Sequence, residues 1–207
     1  MAFTRTKALI AGGAALLLCL VGGVLYVLDV SPFEEEKGEI RASDVCSTLG
    51  SSSSSAAALK RVLPDKSSYT FDDAVTDPRR DDMDVSYATS CFVDGDGKQL
   101  IAATAEMLQY DNADEWVKDV IEGSVPASSA KSFSSGDKAV ASNKLAAIYV
   151  PCLTRGSGQH LSIVVQLKQR GSADGDQLRE GLISLARNAA VFAHQKAKCD
   201  APSKVTQ

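Results

Sequence analysis

Histidine is scarce in this sequence. His160 and His194 are the only two, which leaves few ways to build a His-based metal centre or a nucleophile–base pair. His160 follows a turn signal and His194 lies off the apolar stripe of its helix pattern, so both are expected at the surface rather than as ligands or bases. No serine occupies a strand-to-helix elbow, because Gly156-Ser157-Gly158 reads as a hairpin tip. Asp94 and Asp96 alternate as calcium ligands do, yet Lys98 takes the next alternate place and no closing Glu follows at loop spacing, so a turn accounts for them better. An excess of positive charge is missing as well. Lys and Arg number 22 against 26 Asp and Glu, and the pairs Lys60-Arg61 and Arg79-Arg80 sit beside Asp65, Asp81 and Asp82, which argues against a surface that tracks phosphates. From these absences the expectation is no catalytic residue, no cofactor, no metal site and no nucleic-acid partner.

What the sequence does have is a long uncharged run. Residues 8–28, ALIAGGAALLLCLVGGVLYVL, carry no charge, and at about 1.5 Å per residue a helix of that length spans roughly 30 Å of hydrocarbon. Arg5 and Lys7 precede it, whereas Asp29 and Glu34-Glu35-Glu36 follow. The positive-inside bias therefore puts the N-terminus in the cytoplasm and the rest outside, with Tyr26 at the outer interface. The expected organisation is a cytoplasmic tail (1–7), an uncleaved signal-anchor helix (8–28), an acidic juxtamembrane linker (29–42), an extracytoplasmic domain (43–200) and a C-terminal tail (201–207). Two rival readings exist, a cleaved secretory signal and a lipoprotein signal using Cys19. Against them stand VLYVLDVSPF after Gly23, which has no small-x-small site, and Leu18 where a lipobox needs a small residue.

Beyond the anchor, Ser43 is placed to cap a short helix holding Val45, Cys46 and Leu49 that stops at Gly50. The serine tract 51–55 then leads into a helix closed by Pro64. Residues 72–84 are polar and read as a solvated loop. A hairpin follows, from 85–93 through Asp94-Gly95-Asp96-Gly97 to 98–108, and Asn112 with Glu115 has capping-box spacing before a helix with Trp116, Val117, Val120 and Ile121. The plan recurs as strand 145–154, turn 155–158, strand 160–169 and a helix over 174–198. In that helix Leu178, Leu182, Leu185, Ala189 and Phe192 share one side. The expected fold is α+β, a mainly antiparallel sheet of two hairpins covered by helices. Cys91, Gly95, Gly97 and Leu100 match Cys152, Gly156, Gly158 and Leu161 without a gap, the mark of an internal duplication, although the same register puts Glu106 on the face of Leu167.

Four cysteines lie beyond the anchor, an even count that suggests two bridges in an oxidising compartment. If the last helix returns along the hairpin before it, its end brings Cys199 to Cys152 near the hairpin tip and leaves Cys46 for Cys91.

With its Asp44-Val45-Cys46 start, Ser90-Cys91-Phe92 at the head of a hairpin and Gly136-Asp137-Lys138-Ala139 before the second hairpin, the domain resembles actinobacterial cell-envelope lipoproteins and anchored proteins of unknown function. A looser similarity extends to extracellular sensor domains of mycobacterial receptor-type serine/threonine kinases. The resemblance implies a two-disulfide α+β domain at the cell envelope and supplies no active site. The leading functional expectation is a binding or sensing module without catalysis, facing an envelope protein or a small ligand. The alternatives are a structural or assembly partner acting through its span, and a hydrolase with an unrecognised site.

Overall fold

The structure is a computed structural model that describes residues 37–81, 84–109, 112–154 and 158–206. Segment 8–28, Cys19 and the tip residues 155–157 lie outside the described residues. Among the described residues no helix is long and apolar enough to cross a membrane.

Seven strands form one antiparallel sheet: β1 (Tyr69–Asp77), β2 (Ala88–Gly95), β3 (Lys98–Leu108), β4 (Lys131–Ser132), β5 (Lys138–Ala141), β6 (Leu145–Leu153) and β7 (Gln159–Leu167), in the order β1-β2-β3-β7-β6-β5-β4. Helices α1 (Ser52–Val62), α2 (Ala113–Ile121) and α3 (Gly175–Lys196) complete the α+β fold. Both expected hairpins form. The first turns through Asp96 and Gly97, at φ 50° and 72°, the positive-φ pair of a two-residue turn whose twist matches its strands. The caps also form: Asn112 accepts from the backbone N–H groups of Asp114 and Glu115, and Asp174 from that of Gln177.

Several expectations need correction. The loop read over 72–84 contains most of β1, where Phe71 lies opposite Val93 and Asp73 opposite Cys91. Its acids made it look unstructured, but this is an edge strand, where charge is tolerated. The first hairpin strand starts at Ala88 rather than at residue 85, and Val85 is exposed. Ser43 caps nothing. The N-terminal turn is 3-10 (Ser47–Leu49), and its cap is Asp73, whose carboxylate accepts from the backbone N–H and hydroxyl of both Ser47 and Thr48. Ser51 takes the N-cap position of α1, and Ser52–Ser55 form its first turn.

Helices cover both faces of the sheet, unequally. Alternate residues Ala146, Ile148 and Val150 of β6 join the main core under α1 and α3. Leu145, Ala147 and Tyr149 join a second core under α2 that includes Trp116 and the partly buried Val164. β6 is therefore buried on both sides, and the partly buried Val164 of β7 packs beneath α2. The two hairpins meet at the β3–β7 seam, with three strands on one side and four on the other, and α2 and α3 lie on opposite faces. The β2–β3 pairing shifts register between Val93 and Asp94, and in the unbroken β3–β7 pairing Ile101 lies opposite Leu167 and the exposed Glu106 opposite Ser162. Cys91 and Cys152 share a core but not a rung, since Cys91 lies opposite Ala103 while Cys152 sits in an irregularity between Pro151 and Leu153.

Cys46 bridges Cys91 and Cys152 bridges Cys199, over sequence separations of 45 and 47. Helix α3 does return along the β6–β7 hairpin. Its C-terminus is held by Arg79, a buried cation whose Nη1 donates to the carbonyls of Ala197 and Lys198 at 3.0 and 2.8 Å. Residues read above as linker and tail also pack on the domain: Ile40 is buried, and the backbone N–H of Ala201 donates to the Cys152 carbonyl.

Candidate functional site

Helix α3 buries one side, including Leu178, Leu182 and Leu185. Along another side Arg179, Ile183, Arg187 and Val191 follow at intervals of four residues, which stacks them one above the next with a slow drift around the axis. Together with Ser51 and Ser54 at the start of α1, and with Phe133 just after β4, they line an open groove of 550 Å³. Glu180, Ser184 and Asn188, also four apart, form its second rail. Asn188 is fixed there by its side-chain N–H groups, which donate to Ser54 and Ser55.

The two guanidinium groups are held differently. That of Arg187 lies 5.5 Å from the Phe133 ring centroid, and its Nη2 donates to the Ser134 carbonyl at 3.1 Å and the Thr206 hydroxyl at 3.3 Å. Thr206 in turn donates to Ser134 at 2.8 Å, so the C-terminal segment locks the arginine in place. Arg179 makes one long bond, Nε to the Ala141 carbonyl at 3.4 Å. Two arginines against one glutamate make this groove locally positive in a domain that is negative as a whole. Arg179 and Arg187 stand off the Leu178, Leu182 and Leu185 stripe and were not singled out from sequence. The available signal was their spacing of eight, with Ile183 between them.

A second cluster corrects the reading of His160, which is not an isolated surface residue. Its ring stacks on the buried Tyr149, with centroids 4.1 Å apart and planes 7° apart, and Tyr149 in turn lies 5.1 Å from Trp116. His160 Nε2 is 3.0 Å from Asp137 Oδ2 and Nδ1 is 3.2 Å from the Gly158 carbonyl. Asp137 Oδ1 accepts from Lys204 Nζ at 2.6 Å. Burial pushes the Asp137 carboxyl up, but hydrogen bonds and charge from Lys204 and His160 outweigh it and hold the group below the usual carboxylate range. Both imidazole nitrogens are directed at oxygens that only accept, and neither meets a hydroxyl or thiol to activate, so the cluster is a brace between β7, the loop before β5 and the C-terminal segment. Trp116 Nε1 donates to the buried Ser162 hydroxyl at 2.9 Å and fixes α2 to the sheet. His194, partly buried, is 2.8 Å from the Ala201 carbonyl. The structure assigns Asp96 a similar supporting role, since its Oδ1 accepts from the Ser67 and Ser68 backbone and the Ser67 hydroxyl.

No family model matches the chain, and neither a curated protein nor a solved structure matches it. Function therefore rests on the chain's own geometry. Among the described residues no group of three or more His, Cys, Asp or Glu side chains is placed to hold a metal ion. Among the described residues the groove on α3 has features suited to a ligand, because it joins apolar floor positions to fixed polar groups in a concave surface.

Proposed function

We propose that this chain is a membrane-anchored extracytoplasmic module that binds a partner without catalysing a reaction, held by residues 8–28 with its N-terminus in the cytoplasm. Two disulfides in one small domain support an oxidising compartment. The observation that carries the binding assignment is the α3 groove, where Arg187 is pre-positioned by Phe133, Ser134 and Thr206. A fixed guanidinium loses little freedom when a ligand arrives, which is the economy expected of a binding site.

The test is site-specific photo-crosslinking in intact cells, with a photoreactive residue at Ser184 in the groove and a control at Lys98 on the first hairpin tip. A discrete adduct from position 184 and none from 98 is the expected result; equal labelling, or none at 184, overturns the groove assignment. For the anchor, the expected intact mass includes Met1, and the domain is cut by protease added outside cells. A chain beginning at a lipid-modified Cys19 would refute that topology. Replacing residues 8–28 with an unrelated span separates binding from assembly, since a binding module keeps its crosslink and an assembly partner loses it.

A further inference from the structure

We propose that the groove takes an extended acidic peptide segment, with carboxylates and apolar side chains alternating along one edge, supplied by another envelope protein. The inference rests on the binding assignment above and adds the ligand's chemistry. Its basis is a match of two repeats. Arg179, Ile183, Arg187 and Val191 all line the groove and succeed one another every four helical residues, an advance of about 6 Å per step. An extended chain places side chains on one edge every second residue, about 6.7 Å apart. A segment with an acid at positions one and five and an apolar residue at three and seven therefore lies nearly in step with the helix. The two acids, about 13 Å apart by strand geometry, face two arginines about 12 Å apart by helix geometry, and the two apolar side chains face Ile183 and Val191.

Charge selects the sign of this partner. Both charged residues on the first rail are arginines, and the one carboxylate in the lining, Glu180, is on the second rail with Ser184 and Asn188. Arg187 has both hydrogens of Nη2 engaged by Ser134 and Thr206, and Nη1 has no partner among the described residues. It therefore offers a single charge-assisted bond rather than a two-pronged one. Arg179, tied only through Nε, keeps both terminal nitrogens and is the stronger carboxylate anchor. Val191 is 42% exposed, and covering it removes apolar surface from water, which favours an apolar side chain at that end.

The experiment uses the folded, oxidised protein and a fluorescein-labelled heptapeptide, Glu-Ser-Leu-Ser-Glu-Ser-Leu, read by anisotropy. One control replaces both Glu by Lys, and a second keeps the composition but moves the second Glu one residue along, which throws it to the other edge. The expected result is binding of the first peptide, at least tenfold weaker binding of either control, a loss of about tenfold in Arg179→Gln, and affinity that falls with added salt. Arg179→Gln touches one long hydrogen bond in the free protein, so its folding is verified by an unchanged amide NMR spectrum away from the groove. Equal binding of the Lys peptide, indifference to Arg179→Gln, or no binding of the acidic peptide overturns the proposal. If the Ser184 crosslink forms while the acidic peptide fails, the ligand class is wrong and the groove stands; if the crosslink also fails, the groove assignment itself is at fault.

Discussion

Gly181 offers a test of the packing between α1 and α3, because two known effects oppose each other there. It lies within α3 and is buried. On propensity alone, Ala in place of a mid-helix Gly stabilises by about 1 kcal/mol. A Cβ at 181, however, would stand 2.4 Å from Cγ1 of Val62, far inside van der Waals contact. Val62 is fully buried on α1 and, being β-branched in a helix, has essentially one rotamer to use. Overpacking of this kind costs about 1–3 kcal/mol, so the net expectation for Gly181→Ala is a loss of up to roughly 2 kcal/mol. For a domain of this size each kcal/mol lowers Tm by about 2–4 °C. Val62→Ala alone leaves a cavity and costs roughly 1.5–3 kcal/mol. In the double variant the new methyl enters the space Val62 vacated, so it should be more stable than the sum of the single effects predicts by at least about 1 kcal/mol. Urea unfolding with the disulfides intact measures all four corners of the cycle. An increase in stability for Gly181→Ala, or strict additivity in the double variant, would refute the close α1–α3 contact.

Three further outcomes follow from the same structure. Ser162→Ala removes the acceptor of the buried Trp116 indole N–H and should cost about 1–3 kcal/mol; Trp116 is the chain's single tryptophan, so its fluorescence reports the change directly, and an unchanged midpoint would contradict the assignment. At Asp73 burial raises the carboxyl pKa, but hydrogen bonds from Ser47 and Thr48 prevail and hold it below its ordinary value, so its stabilisation is present above the unfolded carboxylate pKa and is lost as pH falls through the folded value. Asp73→Ala should thus cost about 1 kcal/mol at neutral pH, and the gap to wild type should close on acidification; a gap constant with pH argues against the cap. Each disulfide closes a loop for which the chain-entropy model gives about 4 kcal/mol, against a total of about 5–15 kcal/mol, so reducing both should unfold the domain. Non-reduced peptide mapping should show Cys46 with Cys91 and Cys152 with Cys199, and a fragment joining Cys46 to Cys199 would be decisive against it.

Some of this molecule was legible along the chain because the determining interactions are local. Positive φ at Gly97 and Gly158 is demanded by the tight turns themselves. Asn112 and Asp174 cap helices through N–H groups two or three residues away, and the alternation of Leu161, Ile163 and Val165 expresses a period that every strand shares. Even the bridges could be placed, since α3 is long enough to retrace the hairpin before it.

What stayed hidden depends on partners that the chain supplies from far off. β1 was missed because its acids resemble a loop until Asp73 meets Ser47 and Thr48, 26 and 25 residues away. The side-chain pattern of β6 cannot tell that α2 and α3 cover opposite faces, and His160 looks solitary until the loop before β5 delivers Asp137 and the C-terminal segment delivers Lys204. The groove is the extreme case, needing α1, α3, Phe133 and the last residues together. The Asp96-Gly97 turn, the Asn112 and Asp174 caps, the two hairpins and the cysteine pairing were readable along the chain, because each is set by neighbours or by element length. Which face each helix covers and how Arg187 is held beside Phe133, Ser134 and Thr206 follow instead from side chains that meet only after the sheet has closed.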